Sequence, residues 1–304
     1  MKSPKVSIIV PTYNRPDSTE KTVYNALEQK YENFEVIVVD DGSDDNTWER
    51  ISNIDDPNLK IFRHKKNKGG NAARNTGIKN STGKYIAFLD SDDIWDSTKL
   101  SKQIKILQET NAEAVYCGIE HTYNSKFGRL KYKIGSQLLD SPDKKPEGGN
   151  ELVSEVLATR FPLGGSSTLV VNSEFLQDIG MFDENFKRHQ DWELLVRILK
   201  NGEIRFLNEE LVQKHDTGSP GYDVYFPEKI KFLNKYSNMI VQEELHGENI
   251  IGEHHFGLAK FAIRDQKYTT AYQHLKRSRV KNVRRILFLI QAFFKGIRDE
   301  EKHE

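Results

Sequence analysis

Three polar clusters cut short three apolar runs: Pro11-Thr12-Tyr13-Asn14-Arg15 follows VSIIV, Asp40-Asp41-Gly42-Ser43 follows FEVIVV, and Asp90-Ser91-Asp92-Asp93 follows YIAFL. Singly, each reads as a turn or a helix cap. If the runs are strands of one parallel sheet, the clusters meet at one edge, and the carboxylates gathered there repel unless a cation or hydrogen-bond donors balance them. A divalent metal carrying a phosphate-bearing ligand would supply that balance. Oxygen ligands without a His/Cys array favour Mg²⁺ or Mn²⁺ over Zn²⁺.

The elements that must position these clusters alternate in type over the first hundred residues, as βα units do. Val6 to Val10, Phe34 to Val39 and Tyr85 to Leu89 read as strands buried on both faces, and Lys60 to Arg63 as a shorter one. Asp17 or Ser18 caps a helix with Val23, Ala26 and Leu27 on one face, and Gly69-Gly70 opens a helix over Asn71 to Lys79. In such sheets ligand chemistry collects at the carboxyl ends of the strands. Further on, Ser97 to Gln108 predicts a helix and Ala114 to Cys117 a strand, before a polar Gly/Pro-rich excursion over residues 121 to 150. Helices are expected at Glu151 to Ala158, Phe175 to Ile179 and Trp192 to Lys200, with a strand at Leu169 to Val171. Past about residue 217 the pattern is helical, at roughly Phe226 to Gln242, Gly252 to Gln266 and Thr269 to Arg277.

Composition narrows the function classes. The 304 residues hold 45 Lys+Arg against 45 Asp+Glu, which excludes a nucleic-acid binder driven by bulk charge. With 37% hydrophobic residues the chain can bury a core of enzyme size. Cys117, the single cysteine, cannot form an internal disulfide, the N-terminal apolar run is too short for a secretory signal, and no stretch reaches the length of a membrane span. These features predict a cytoplasmic protein. Lys260 to Arg298 holds eleven basic residues against one acid, Asp265, around the apolar stretch ILFLIQAFF. Such a segment suits peripheral contact with an anionic membrane surface, and equally a helix packed on the protein body or on a second subunit as a homodimer contact.

The segments VSIIVPTYNR, FEVIVVDDGSDD, NKGGNAARNTGI, GKYIAFLDSDD and HQDWELLVRI, in this order and spacing over about the first 215 residues, resemble the family 2 glycosyltransferases. The resemblance implies an α/β fold of GT-A type: a Rossmann-like mixed, mostly parallel sheet flanked by helices, with a helical C-terminal extension. It implies a nucleotide-sugar-binding half over residues 1–100, an acceptor-binding and catalytic half over 101–217 and an extension over 218–304. On the donor side, it implies that Pro11 and Thr12 shape the nucleotide loop while Tyr13 stacks on the base, a sequence-tolerant contact. Asp41, in preference to its neighbour Asp40, then accepts a hydrogen bond from a uracil-like ring, and Arg74 lies near the nucleotide. Asp90-Ser91-Asp92 matches the DxD motif, with Asp90 and Ser91 toward ribose or sugar and Asp92 on the metal, which His215 also reaches. Asp93 caps the next helix. Asp191 matches the catalytic base, with Gln190 where an acid usually precedes it. A helix N-terminus stabilises a carboxylate, so only burial beside Trp192 raises its pKa. Trp192 and Gly165, in the Gly164-Gly165-Ser166-Ser167 stretch, are expected on the acceptor side, where core packing and a tight turn are the plainer readings.

The activity implied is transfer of a sugar, with inversion and with Mn²⁺ or Mg²⁺, from a nucleotide-sugar donor, a UDP-sugar above others, to a hydroxyl of a glycan or lipid-linked acceptor. Bacterial capsule, exopolysaccharide or cell-wall glycan synthesis is the usual setting. A nucleotidyltransferase would begin with a Gly-rich basic loop, which VPTYNRPD is not. A non-catalytic scaffold that binds carbohydrate or nucleotide sugar would tolerate loss of a motif carboxylate, and Asp41, Asp90, Asp92 and Asp191 are all present.

Overall fold

The computed structural model describes residues 3–121, 146–214 and 221–279. They fall into two compact units. The described part of the first comprises residues 3–121, 146–153 and 162–214, and that of the second residues 154–161 and 221–279.

In the first unit β1 (Val6–Thr12), β2 (Phe34–Asp40) and β4 (Tyr85–Phe88) are buried at every position, as their unbroken apolar runs require. Helix α1 (Pro16–Leu27) and a short α2 (Thr47–Ser52) alternate with β1, β2 and β3 (Leu59–Arg63), and α3 (Gly70–Lys79) leads to β4. Pro16 opens α1, so its start lies just before Asp17 and Ser18, and neither caps it. Beyond β4 come β5 (Asp93–Trp95), α4 (Lys99–Glu109), β6 (Ala114–His121), then α5 (Val153–Leu157), which but for Val153 belongs to the second unit, and β7 (Val170–Asn172), α6 (Ser173–Asp178), α7 (Gln190–Asn201) and β8 (Ile204–Lys214) of the first.

The eight strands form one sheet in the order β3-β2-β1-β4-β7-β6-β8-β5. The pairs among β3, β2, β1 and β4 are parallel, whereas β4 with β7, β7 with β6 and β8 with β5 are antiparallel. The sheet is therefore mixed, with its parallel half built by the N-terminal βα units. Register aligns the strand ends: Thr12 stands opposite Asp40, and Asp40 opposite Arg63. Because β1 is flanked by β2 on one side and β4 on the other, the direction of winding reverses there, the place in the strand order where open α/β sheets take their ligands.

Two strands depart from the sequence expectation. Ile204–Lys214 is an eleven-residue strand parallel to β6, although Asn208-Glu209-Glu210 breaks its apolar alternation. Asp93 does not cap a helix but opens β5, pairing with Lys214 of β8. Both strands are held by neighbours distant in sequence, so local pattern does not reveal them.

In the second unit the expected helix over 226–242 is two helices, α8 (Tyr222–Lys235) and α9 (Ser237–Leu245), divided at Tyr236. They are followed by α10 (Ile250–Arg264) and α11 (Tyr268–Ser278). Leu258, Ala262 and Ala271 are buried with Tyr222, small residues allowing α10 and α11 to approach closely. The basic apolar segment beyond Val280 lies outside the described residues.

Candidate functional site

The three polar clusters do meet, at the carboxyl ends of β1, β2 and β4. The first two loops are stitched together: the Asp41 amide donates to Thr12 O at 2.8 Å, the Asn14 amide to Ser43 Oγ at 2.9 Å, and the Asp44 amide to Asn14 Oδ1 at 3.0 Å. Asp40 accepts from both the amide and hydroxyl of Ser43, and Arg63 Nε lies 3.0 Å from its other oxygen. Gly42, at φ +79°, turns this loop, and a Cβ there would stand 2.7 Å from the backbone of Lys66. Pro11 and Thr12 are buried, with the Thr12 hydroxyl 2.6 Å from that of Thr19. Tyr13 is 42% exposed at the rim, free to offer its ring.

Asp41 is almost fully buried, and its carboxylate organises the chain around it. Oδ1 accepts from the Lys68 amide at 3.0 Å and lies 2.6 Å from His64 Nδ1, while Oδ2 accepts from the Gly69 amide at 2.7 Å. His64 Nε2 continues to Thr76 Oγ1 on α3 at 2.9 Å. Sequence reasoning missed His64. Its position at the end of β3, opposite the Asp40-Asp41 pair, is a signal visible only once the register is known.

Around Asp90 the charges concentrate. Arg74 is buried, so it is no surface ion pair; it donates to Asp90 Oδ1 at 2.6 Å and packs over the Phe182 ring. Burial pushes the Asp90 carboxyl up, but Arg74 and Lys214 outweigh it and hold it below the usual range. Ser91 is buried. Asp92 pairs with the half-exposed Arg15 at 2.6 Å. Asp93 accepts from Ser167 Oγ at 2.5 Å, lies 3.3 Å from Lys214 Nζ, and is pushed up to about 6, chiefly by burial.

The turn Gly164 to Thr168 closes the other wall. Asp90 N donates to Ser167 Oγ at 3.0 Å, and Trp95 Nε1 donates to Ser167 O at 2.9 Å, so this turn is built onto the DSDD segment. Gly165, at φ +101°, leaves room that a side chain would fill: a Cβ would lie 2.7 Å from Lys214 Nζ and 3.9 Å from Asp191 Oδ2. Asp191 sits in the first turn of α7, which is capped at His189 in a left-handed conformation, so Asp191 is not the cap. Its Oδ1 is sealed from solvent without a hydrogen-bond partner. Burial raises its pKa, the Asp90 charge adding to the effect while Arg74, Lys214 and the Ser166 hydroxyl oppose it. Trp192 stacks on His189 with ring centroids 5.4 Å apart.

The structure thus groups Arg74, Asp90, Asp93, Gly165, Ser166, Asp191 and Lys214, with Asp92 and Arg15 beside them and Tyr13 and Asp41 on neighbouring strand ends. Lys214 was not anticipated; it arrives at the end of β8, the strand the sequence pattern hid. His215 lies outside the described residues. Among those described, no three His, Cys, Asp or Glu side chains converge as a metal-holding group.

A buried carboxylate facing a cationic, donor-rich strand edge of a mixed α/β sheet suits an enzyme that handles an anionic, phosphate-bearing ligand. Residues 7–156 match Glycosyl transferase family 2. A glycosyltransferase of Rickettsia typhi, described as uncharacterized, is 30% identical over 256 residues, covering 80% of this chain and 77% of that protein. The chain belongs to glycosyl transferase family 2. Across five rickettsial relatives it spans from 16% to 77% of their length. The Escherichia coli UDP-Glc:alpha-D-GlcNAc-diphosphoundecaprenol beta-1,3-glucosyltransferase WfaP is 42% identical over 121 residues, 40% of this chain and 47% of that one. The fold is that of the mannosyltransferase PcManGT from Pyrobaculum calidifontis, solved with GDP-Man and Mn²⁺, at a TM-score of 0.59 and 19% identity over 96% of this chain and 81% of that one.

Proposed function

We propose that this protein transfers a sugar, with inversion, from a UDP-sugar donor to a hydroxyl of a glycan or lipid-linked acceptor in surface polysaccharide or cell-wall glycan synthesis. The observation that carries the proposal is Asp191: a carboxylate with one oxygen sealed and unbonded, its pKa raised, set across Gly165 from the Arg74–Asp90 pair and Lys214. Such a group suits a general base that waits for a substrate proton. Asp191 takes the proton of the acceptor hydroxyl as that oxygen attacks the anomeric carbon from the face opposite the diphosphate, which inverts the configuration. Tyr13 stacks on the base, and Pro11 and Thr12 shape the loop under it. Asp41 holds the Lys68–Gly69 backbone and keeps one Oδ2 lone pair for the uracil ring. Arg74 orients Asp90, which together with Ser91 faces ribose or sugar, and Gly165 and Trp192 border the acceptor.

Asp92, a partly exposed carboxylate beside Asp90, would hold Mg²⁺ or Mn²⁺ in exchange for its ion pair with Arg15. His215 would be a further ligand. Such an ion, when bound, stabilises charge on the departing diphosphate. The UDP preference is supported by the name of the WfaP relative, and so is the lipid-linked acceptor. No described helix is long and apolar enough to cross a membrane, and the basic segment beyond Val280 would hold a cytoplasmic protein to the anionic leaflet.

The test is donor binding and hydrolysis across UDP-, GDP- and dTDP-sugars with and without Mn²⁺, for wild type, Asp92→Ala and Asp191→Asn. One UDP-sugar is expected to bind in a metal-dependent way that Asp92→Ala removes. Asp191→Asn is expected to keep donor affinity while kcat/KM for transfer falls by roughly a hundred- to ten-thousand-fold. Near-wild-type transfer by that variant would sink the base assignment, and a folded wild type that binds no nucleotide sugar would sink the whole reading.

A further inference from the structure

The helical unit carries a surface that sugar transfer does not explain. Of nine exposed large hydrophobic residues among those described, seven belong to this unit: Val224, Ile230, Val241, Leu245, Ile251, Tyr268 and Tyr272. Val241 and Leu245, one turn apart on α9, are 55% and 75% exposed. They form the lip of a groove of about 1180 Å³, floored by Leu233 and Ile240 and bordered by Ile251 of α10. Its far edge is cationic, with Lys276, Arg277 and Arg279 at the end of α11, and none of the three makes an ion pair with a described residue. The one acidic lining residue, Glu244, already accepts the Ile251 amide at 2.7 Å. Exposed apolar patches of this kind mark interaction sites.

We propose that this face of the helical unit docks on an anionic lipid bilayer. An acidic protein partner would answer the three cations but leaves Val241 and Leu245, each more than half exposed, unexplained. A bilayer interface offers both headgroup phosphate for Lys276, Arg277 and Arg279 and hydrocarbon for Val241 and Leu245 at shallow depth. The chemical character continues along the chain, since Lys281, Arg284, Arg285 and the run Ile286 to Phe294 follow Arg279 directly. A free phosphate would use the cations without needing the lip. The inference is independent of donor and acceptor chemistry, because it concerns lipid binding alone.

Co-sedimentation of the full chain with vesicles of phosphatidylcholine, with and without 30% phosphatidylglycerol, tests it in the absence of sugar nucleotide. The full chain is expected to partition onto phosphatidylglycerol vesicles and to be released by high salt. Two double variants target the groove while leaving the basic segment beyond Val280 intact: Val241→Asp with Leu245→Asp, and Arg277→Glu with Arg279→Glu. Each is expected to lower partitioning about thirty-fold or more while circular dichroism stays unchanged. Wild-type partitioning by both groove variants would overturn the proposal and leave membrane contact to the segment beyond Val280. Equal binding to neutral vesicles, or a homodimer that only the groove variants dissolve, would overturn it as well.

Discussion

His64, itself buried, stands between the Asp41 carboxylate and Thr76 of α3, at 2.6 and 2.9 Å. His64→Ala would leave Asp41 short of a buried partner, which costs about 1–3 kcal/mol of stability. Because the Asp41 carboxylate also holds the Lys68–Gly69 backbone, the variant is expected to raise the donor Kd about ten-fold with kcat little changed, and His64→Gln to recover part of the affinity. Isothermal titration with the nucleotide checks both. At the other wall, burial raises the Asp191 pKa, and a base must be ionised to act. The acid limb of the kcat/KM profile is therefore expected above the ordinary carboxylate range, transfer failing as pH drops through it; a limb near that of a solvent-exposed aspartate would contradict the burial argument. These residue types were legible in the sequence, apart from His64 and Lys214. Their partners were not, because His64, Lys68 and Gly69, which bond Asp41, and Ser167, which bonds Asp90, are distant from those two residues along the chain.

Among the elements, α4 shows how far packing departs from pattern. Lys99 in its first turn is wholly buried, with Nζ 3.8 Å above the Trp95 ring and no hydrogen-bond partner. Burial lowers its pKa to about 8, below the ordinary value near 10.5. A depressed lysine favours the fold when neutral, so its contribution is lost as pH falls from 10.5 through 8. Lys99→Met is accordingly expected to stabilise the protein at pH 7, by roughly 1–3 kcal/mol once the lost ring contact is set against the relieved desolvation. Chemical denaturation at pH 7 and pH 10 checks it, the difference between variant and wild type shrinking at the higher pH. The buried parallel strands were readable because a run such as FEVIVV has no other home. The strands β5 and β8 were hidden, one being three residues long and the other broken by Asn208-Glu209-Glu210, and the bonds that define them run to distant partners.

At the scale of the whole chain, the helical unit carries a stability term of its own. His274 is buried with its Nε2 2.8 Å from Tyr222 Oη and its Nδ1 2.8 Å from His255 Nδ1. Burial, the neighbouring His255 and Arg277 lower its pKa to about 4, and His255 is lowered by burial and Arg277 as well. The unfolded chain takes up these protons near the ordinary pKa of 6.5 and the folded one does not, so stability is lost as pH falls from about 6.5 to 4. Protection of the α10 and α11 amides, taken relative to the intrinsic exchange rate at each pH, is expected to fall over that window, and His274→Gln to flatten the response; an unchanged pH response in the variant would assign the acid sensitivity elsewhere.

The sequence by itself determined the family, the α/β class and the strand ends where polar residues gather, because buried runs, turn chemistry and five ordered motifs are local properties that survive without coordinates. Only the tertiary structure decided which charges share a site. Strand register set Thr12 beside Asp40, and β8 carried Lys214 to Asp93 across 121 positions of sequence. The left-handed turn at Gly165 left room between Lys214 and Asp191, and burial turned a helix-end aspartate, which a helix alone would keep acidic, into one whose pKa is raised. Dielectric environment and juxtaposition are properties of folded packing, and the chemistry of this site rests on both.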